Sequence, residues 1–132
     1  ALTCVAAAAD GTVWGVNAAQ QIFRRDASSW TLVPGGLVQI AVASASLVFG
    51  VASNGQVFRR VGDGWERVGG GLRQVSVAAD GSAWGVNSND EIFRWNGGDW
   101  DQINGGLHQV AHRSRERVWG VSADDQIWYV DP

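Results

Sequence analysis

The chain has 132 residues with 18 Gly, 8 Trp, 2 Pro, one Cys and no Met, and its 10 basic residues, all Arg, stand against 13 acidic ones. That is the length of one ordinary domain, which excludes an enzyme built from separate cofactor and substrate domains; a net charge of −3 gives little hold on a phosphate backbone, so nucleic-acid binding is not expected. The lone Cys4 excludes an intrachain disulfide and a Cys-rich zinc site, and no apolar run approaches the roughly 20 residues of a membrane-spanning helix, so membrane insertion is not expected.

In chain order the sequence resolves into copies of one unit. Trp14, Phe49, Trp84 and Trp119 are spaced by 35 residues, and each is followed by Gly-Val. The same step carries Phe23, Phe58, Phe93 and Trp128; Trp30, Trp65 and Trp100; and Leu2, Leu37, Leu72 and Leu107. The repeats run 2–36, 37–71, 72–106 and 107–132, the last lacking a counterpart of Trp30 and of the closing Gly-Gly pair.

Helical repeats share this period, so residue types must decide between helix and strand. In the third repeat, alternating residues 74–79 end at Asp80-Gly81, a hairpin dipeptide. A strand over 82–87 runs into a polar turn at 88–90. A third strand over 91–95 breaks at Asn96-Gly97-Gly98, and a fourth over 99–103 ends at Asn104-Gly105-Gly106. Turns so close together leave no room for a helix, and the unit reads as a four-stranded antiparallel meander. Val75, Val77, Trp84, Val86, Ile92 and Phe93 cannot all lie on one face of such a sheet, so both faces must be covered. Radial packing of like sheets does this. The expected fold is all-β, a β-propeller of 35-residue four-stranded blades, about four in this chain with the last incomplete. A β-helix is the alternative, although it needs no hairpin turn inside each unit. The glycines after the aromatic column are expected where neighbouring blades come close.

The pattern Ala-Asp-Gly-x-x-Trp-Gly-Val-Asn, then Ile-Phe-Arg, then Trp-x-x-(Val/Ile)-x-Gly-Gly-Leu resembles the tectonin repeat of tectonin-like lectins over the whole chain. Ala45-Ser46 and Arg115-Glu116 replace its Asp-Gly in the second and fourth copies. The resemblance implies a propeller, commonly six-bladed, that binds glycans, in some members methylated sugars or bacterial lipopolysaccharide, without catalysis. A six-bladed ring exceeds this chain, and the unfinished fourth repeat leads us to expect a homo-oligomer that closes the ring.

A glycan site needs an aromatic plate beside directional donors. The repeated candidates are Trp14, Trp84 and Trp119; Asn17 and Asn87; and Arg24, Arg59 and Arg94. For the tryptophans, inter-blade core is the readier reading, and a core Trp can still floor a groove. His108 and His112, four apart on a strand, lie too far from one another to share an ion, so no metal is expected there, and no cofactor is expected anywhere. Arg113, Arg115 and Arg117 read as a solvated turn able to touch anions. No catalytic motif is present: the chain has no Lys for a phosphate loop and no helix for a His-Glu-x-x-His site. No leader pattern is visible, which leaves cytoplasm and secretion both open.

Overall fold

The computed structural model describes residues 2–26, 28–114 and 117–130. Among them, fifteen strands form four antiparallel sheets. The first blade contains β1 (Leu2–Ala7), β2 (Val13–Asn17), β3 (Ile22–Asp26) and β4 (Ser29–Val33); the second, β5 (Gln39–Ser44), β6 (Leu47–Val51), β7 (Val57–Val61) and β8 (Gly64–Arg67). The third contains β9 (Gln74–Val77), β10 (Ala83–Val86), β11 (Glu91–Trp95) and β12 (Trp100–Gly106), and the fourth has three strands, β13 (Gln109–Ser114), β14 (Arg117–Val121) and β15 (Ile127–Val130). Each sheet is a meander in sequence order, as the turn spacing requires. β12 runs past the expected stop to Gly106, taking up the extra length in a register shift beside Glu91.

The blades stack in chain order. Their first strands, β1, β5, β9 and β13, lie side by side, and β5, β9 and β13 are also packed by the second strand of the preceding blade. Among the described residues no strand of the fourth blade packs on the first, so the array is an open arc. Three apolar clusters fill the three interfaces. Trp14, Val16, Ile22 and Val33 meet Leu37, Ile40, Val42 and Val48 in the first. Phe49, Val51 and Val57 meet Leu72, Val75 and Ala83 in the second; Trp84, Val86 and Ile92 meet Leu107, Val110 and Val118 in the third. One face of each blade therefore packs against the opposite face of the next, which answers the need to cover both.

The mid-strand glycines serve a different neighbour from the expected one. A Cβ at Gly50 would lie 2.3 Å from Leu37 Cδ1, and one at Gly120 would lie 2.3 Å from Leu107 Cδ1. The space belongs to the leucine that opens the same blade. That leucine crosses its own sheet and is buried there.

A polar clamp fixes the register between blades. The Gln39 amide donates to Val75 O (3.1 Å) and accepts from Val75 N (3.0 Å), and Gln74 does the same to Val110 (2.8 and 2.9 Å). A glutamine amide here imitates a peptide group and satisfies backbone that would otherwise be buried unpaired. Replacing Gln74 by Leu, which keeps the bulk, should lower stability by about 1–3 kcal/mol; urea unfolding would measure it, and an unchanged midpoint would contradict the clamp. Cys4 holds this column in the first blade, with Sγ 3.9 Å from Ile40 O.

Candidate functional site

The expected site residues separate into three structural roles. Trp14 and Trp84 are 2 % and 0 % exposed, walls of the first and third interfaces rather than open plates. Their indole N–H groups meet no acceptor among the described residues. Trp119, in the same column, is 52 % exposed and packs edge-on against Tyr129, with ring centroids 5.1 Å apart. The difference arises because, among the described residues, no further blade packs on this face of the fourth.

Asn17 and Asn87 staple turns. Asn17 Oδ1 accepts from Gln21 N and Asn87 Oδ1 from Glu91 N, both at 2.9 Å, and each Nδ2 donates to the side chain of that same residue. The reason lies three residues after each asparagine: Gln20 and Asp90 have φ of 67° and 64°, a left-handed conformation that a side chain makes costly. In the second blade that position is Gly55, where φ of 83° is unstrained, and the stapling residue is reduced to Ala52. The two columns vary together, so this Asn column is accounted for by backbone geometry.

The arginines lie directly across the sheet from the aromatic column, Trp14 opposite Arg24, Phe49 opposite Arg59 and Trp84 opposite Arg94. Arg24 Nε is 3.2 Å from Asp26, which also accepts from Thr31; these contacts, the Thr31 hydroxyl foremost, hold the Asp26 carboxyl below its ordinary pKa. Arg59 reaches Glu66 at 3.3 Å. Arg94 stacks on Trp84 with Cζ 5.9 Å from the ring centroid, and no carboxylate pairs with it among the described residues.

Arg60 matters although sequence reasoning passed over it. Its guanidinium lies 5.6 Å from the Trp14 ring centroid and 5.2 Å from that of Trp65, bridging first and second blades. In the next interface Trp95 takes this place, against Phe49 and Trp100. A smaller Phe in one column is matched by a larger Trp in the other, and comparing those columns would have exposed the pair.

Grooves open at the blade junctions. A recess of about 100 Å³ between the first two blades is lined by Ile22, Gly35, Gly36, Leu37, Phe58 and Trp65. Between the second and third, a groove of about 330 Å³ has Val38, Val51 and Leu72 on its floor and Ser53, Asn54, Arg73 and Ser88 on its polar rim. Arg73 is held by Asp90 at 3.7 Å and by the carbonyl of His108.

The two histidines have separate partners. His108 Nδ1 faces Asp90 at 3.3 Å. His112 joins third and fourth blades: Nδ1 is 2.8 Å from Ser76 Oγ, and Nε2 is 3.0 Å from both the carbonyl and hydroxyl oxygens of Ser82. The Asp80 carboxylate bonds Ser82 rather than the imidazole, so the order of a hydrolytic relay is not reproduced. Burial lowers the His112 pKa from 6.5, with the Ser82 carbonyl and Asp80 partly opposing it. The unfolded chain therefore binds this proton more readily than the folded one. Stability should be full above about pH 6.5 and fall as pH drops below it; urea midpoints from pH 7.5 to 5 should show this slope, and His112→Gln should flatten it. Of the arginine turn, Arg115 and the side chains of Arg113 and Arg117 lie outside the described residues.

No helix of the described residues is long and apolar enough to cross a membrane. No curated protein matches the sequence. Among solved structures, the chain is similar to YCF48 bound to a D1 peptide, at 18% identity and a TM-score of 0.66 over 99% of this chain and 50% of that one. It is similar to human WBSCR16 at 10% and 0.72, over 91% and 45%, and to the computationally designed Ika4 protein at 14% and 0.72, over 99% and 91%. The chain thus spans about half the length of the first two, and at these identities the likeness establishes fold alone. The tectonin domain matches residues 1–62 and 43–132. Repeats, blades and this match agree, and the chain belongs to the tectonin-domain family.

Proposed function

We propose that this is a non-catalytic, multivalent carbohydrate-binding module whose sites are the grooves between blades. The observation that carries this reading is the groove between second and third blades, where the apolar Val38, Val51 and Leu72 lie beside Ser53, Asn54, Ser88 and Arg73. A sugar has an apolar C–H face and a ring of hydroxyls, which such a groove complements. The recess beside Trp65 is of a size for a methyl group rather than a whole ring, which suits a methylated sugar. Relative to the sequence expectation, emphasis moves from Asn17, Asn87 and the buried Trp14 and Trp84 toward Arg73, Asn54 and Trp65. A glycan array tests it: binding that falls at least tenfold in Arg73→Ala, with unchanged circular dichroism, supports the reading, and a flat array overturns it.

Self-association supplies further multivalency in this proposal. The outer face of the first blade exposes Val5 and Leu32, and that of the fourth exposes Trp119, Ile127 and Tyr129. These are the same two faces that pack together inside the chain. Gln109, next in the column of Gln39 and Gln74, is exposed and clamps no neighbour among the described residues. Val5 occupies the column of its targets, Val75 and Val110. A second copy thus fits head to tail. The same exposed aromatic face favours a second reading, docking of another protein, which a flat array together with a specific co-purifying partner would support.

A further inference from the structure

In the second and third blades the last strand holds a Trp whose indole crosses to the preceding blade. Trp65 Nε1 donates to Pro34 O at 3.0 Å, and Trp100 Nε1 donates to Val68 O at 2.8 Å. In both cases the next residue is a glycine in a positive-φ conformation, Gly35 at 134° and Gly69 at 111°. A Cβ on Gly35 would sit 3.1 Å from Trp65 Nε1, and one on Gly69 would sit 3.0 Å from Trp100 Cδ1. The bare glycine is what lets the indole seat.

Gly105 repeats Gly35, with φ of 122°. A Cβ there would meet only Ile92 Cδ1, at 3.4 Å, within 4 Å; Gly35 has the equivalent isoleucine, Ile22, and the indole as well. The surroundings repeat too. Ile22, Gly35, Gly36, Leu37 and Phe58 line the recess beside Trp65, and their counterparts Ile92, Gly105, Gly106, Leu107 and Trp128 line a cleft between third and fourth blades. The recess measures about 100 Å³ and the cleft about 740 Å³. The Trp65 indole of the last strand lines the first, whereas the second, lined by the third-strand Trp128, has no last-strand indole among the described residues. Beside the cleft, β15 pairs with β14, and among the described residues no strand follows it in the sheet, whereas β3, β7 and β11 each carry a further strand.

We propose that this cleft and the outer edge of β15 bind an extended peptide of the type Trp-x-x-(Val/Ile). The peptide adds antiparallel to β15, continuing the ladder that β4, β8 and β12 complete in the other blades. Its indole enters the cleft and donates to the carbonyl of Asn104, the counterpart of Pro34. Its aliphatic residue lies opposite Ile127, as Val33 lies opposite Ile22 and Ile103 opposite Ile92. Backbone bonds supply part of the affinity, and the indole supplies selectivity. The site is separate from the proposed glycan groove and stands or falls independently of it.

The test uses the whole chain and a synthetic peptide of its own residues 98–105, Gly-Asp-Trp-Asp-Gln-Ile-Asn-Gly. The expected result is saturable binding with amide shifts at Asn104, Gly105, Leu107 and the β15 edge, weakened at least tenfold when the peptide Trp is replaced by Ala. Gly106→Phe adds a blocking test at a position where a Cβ meets only Asp90 O, at an ordinary 3.6 Å, and should weaken binding by a similar factor. Absence of binding at millimolar peptide, equal binding of the Ala peptide, or shifts centred on Trp119 would each overturn the proposal. The last would instead identify the outer face of the fourth blade as the docking surface.

Discussion

Replacing Trp84 by Ala should destabilise the fold by about 3–5 kcal/mol, while the same change at Trp119 should cost less than about 1 kcal/mol. The two residues hold one position of the repeat, so propensity and local pattern treat them alike. Trp84 is fully buried at the junction of third and fourth blades, packed with Val86, Leu107 and Val110 and covered by Arg94. Truncation leaves a cavity that rigid sheets on both sides cannot collapse to fill. Trp119 packs on Tyr129 and, among the described residues, is half exposed. Urea unfolding of the two variants measures the contrast, and equal losses would mean that the fourth blade is covered in solution. Self-association produces such cover, so the comparison belongs at low protein concentration, with a second run at high concentration.

The second large effect concerns that association. Sedimentation should give a mass above that of one chain, and Ile127→Asp should return it to a single chain with the far-ultraviolet spectrum unchanged. Ile127 is 73 % exposed, whereas its counterparts Ile22, Val57 and Ile92 are buried at 2 % or less. A charge at an exposed position costs the isolated chain little, but an unpaired carboxylate placed in an apolar contact costs several kcal/mol. Gln109→Leu should weaken the assembly less, because it removes the clamp but keeps the apolar contact. A wild-type mass of one chain at all concentrations would refute the head-to-tail assembly and leave the module monomeric, without touching the groove proposed for glycans.

Much of the fold was legible because repetition amplifies weak signals. One Asp-Gly or one Trp-Gly-Val triplet says little, but the same triplet at a fixed step, with turn residues between, leaves a meander as the simplest reading. The candidate site was less legible. Asn87 has the chemistry of a sugar ligand, and its actual work, stapling a turn whose Asp90 adopts a left-handed conformation, depends on a backbone angle that composition does not reveal. Reading it against Ala52 and Gly55 would have indicated the turn role, since those two residues relax together in the second blade. Gln39 and Gln74 looked like ordinary polar residues of a first strand. Their clamps reach 36 residues onward, a distance at which only the stacked blades bring the groups together.

By itself the sequence determined the unit: strand, turn and glycine positions follow from local chemistry and recur every 35 residues, so they could be read without knowing where the units go. Tertiary structure alone decided which of several identical columns is core and which is surface. Trp84 and Trp119 share their local sequence but not their burial, because burial requires a blade on the other side and the fourth blade has no such neighbour within the described chain. The same cause opens the cleft at Gly105, where the Gly35 pattern recurs without the indole that fills it in the first interface. Periodicity fixes what each face contains, and packing fixes which faces remain available to bind.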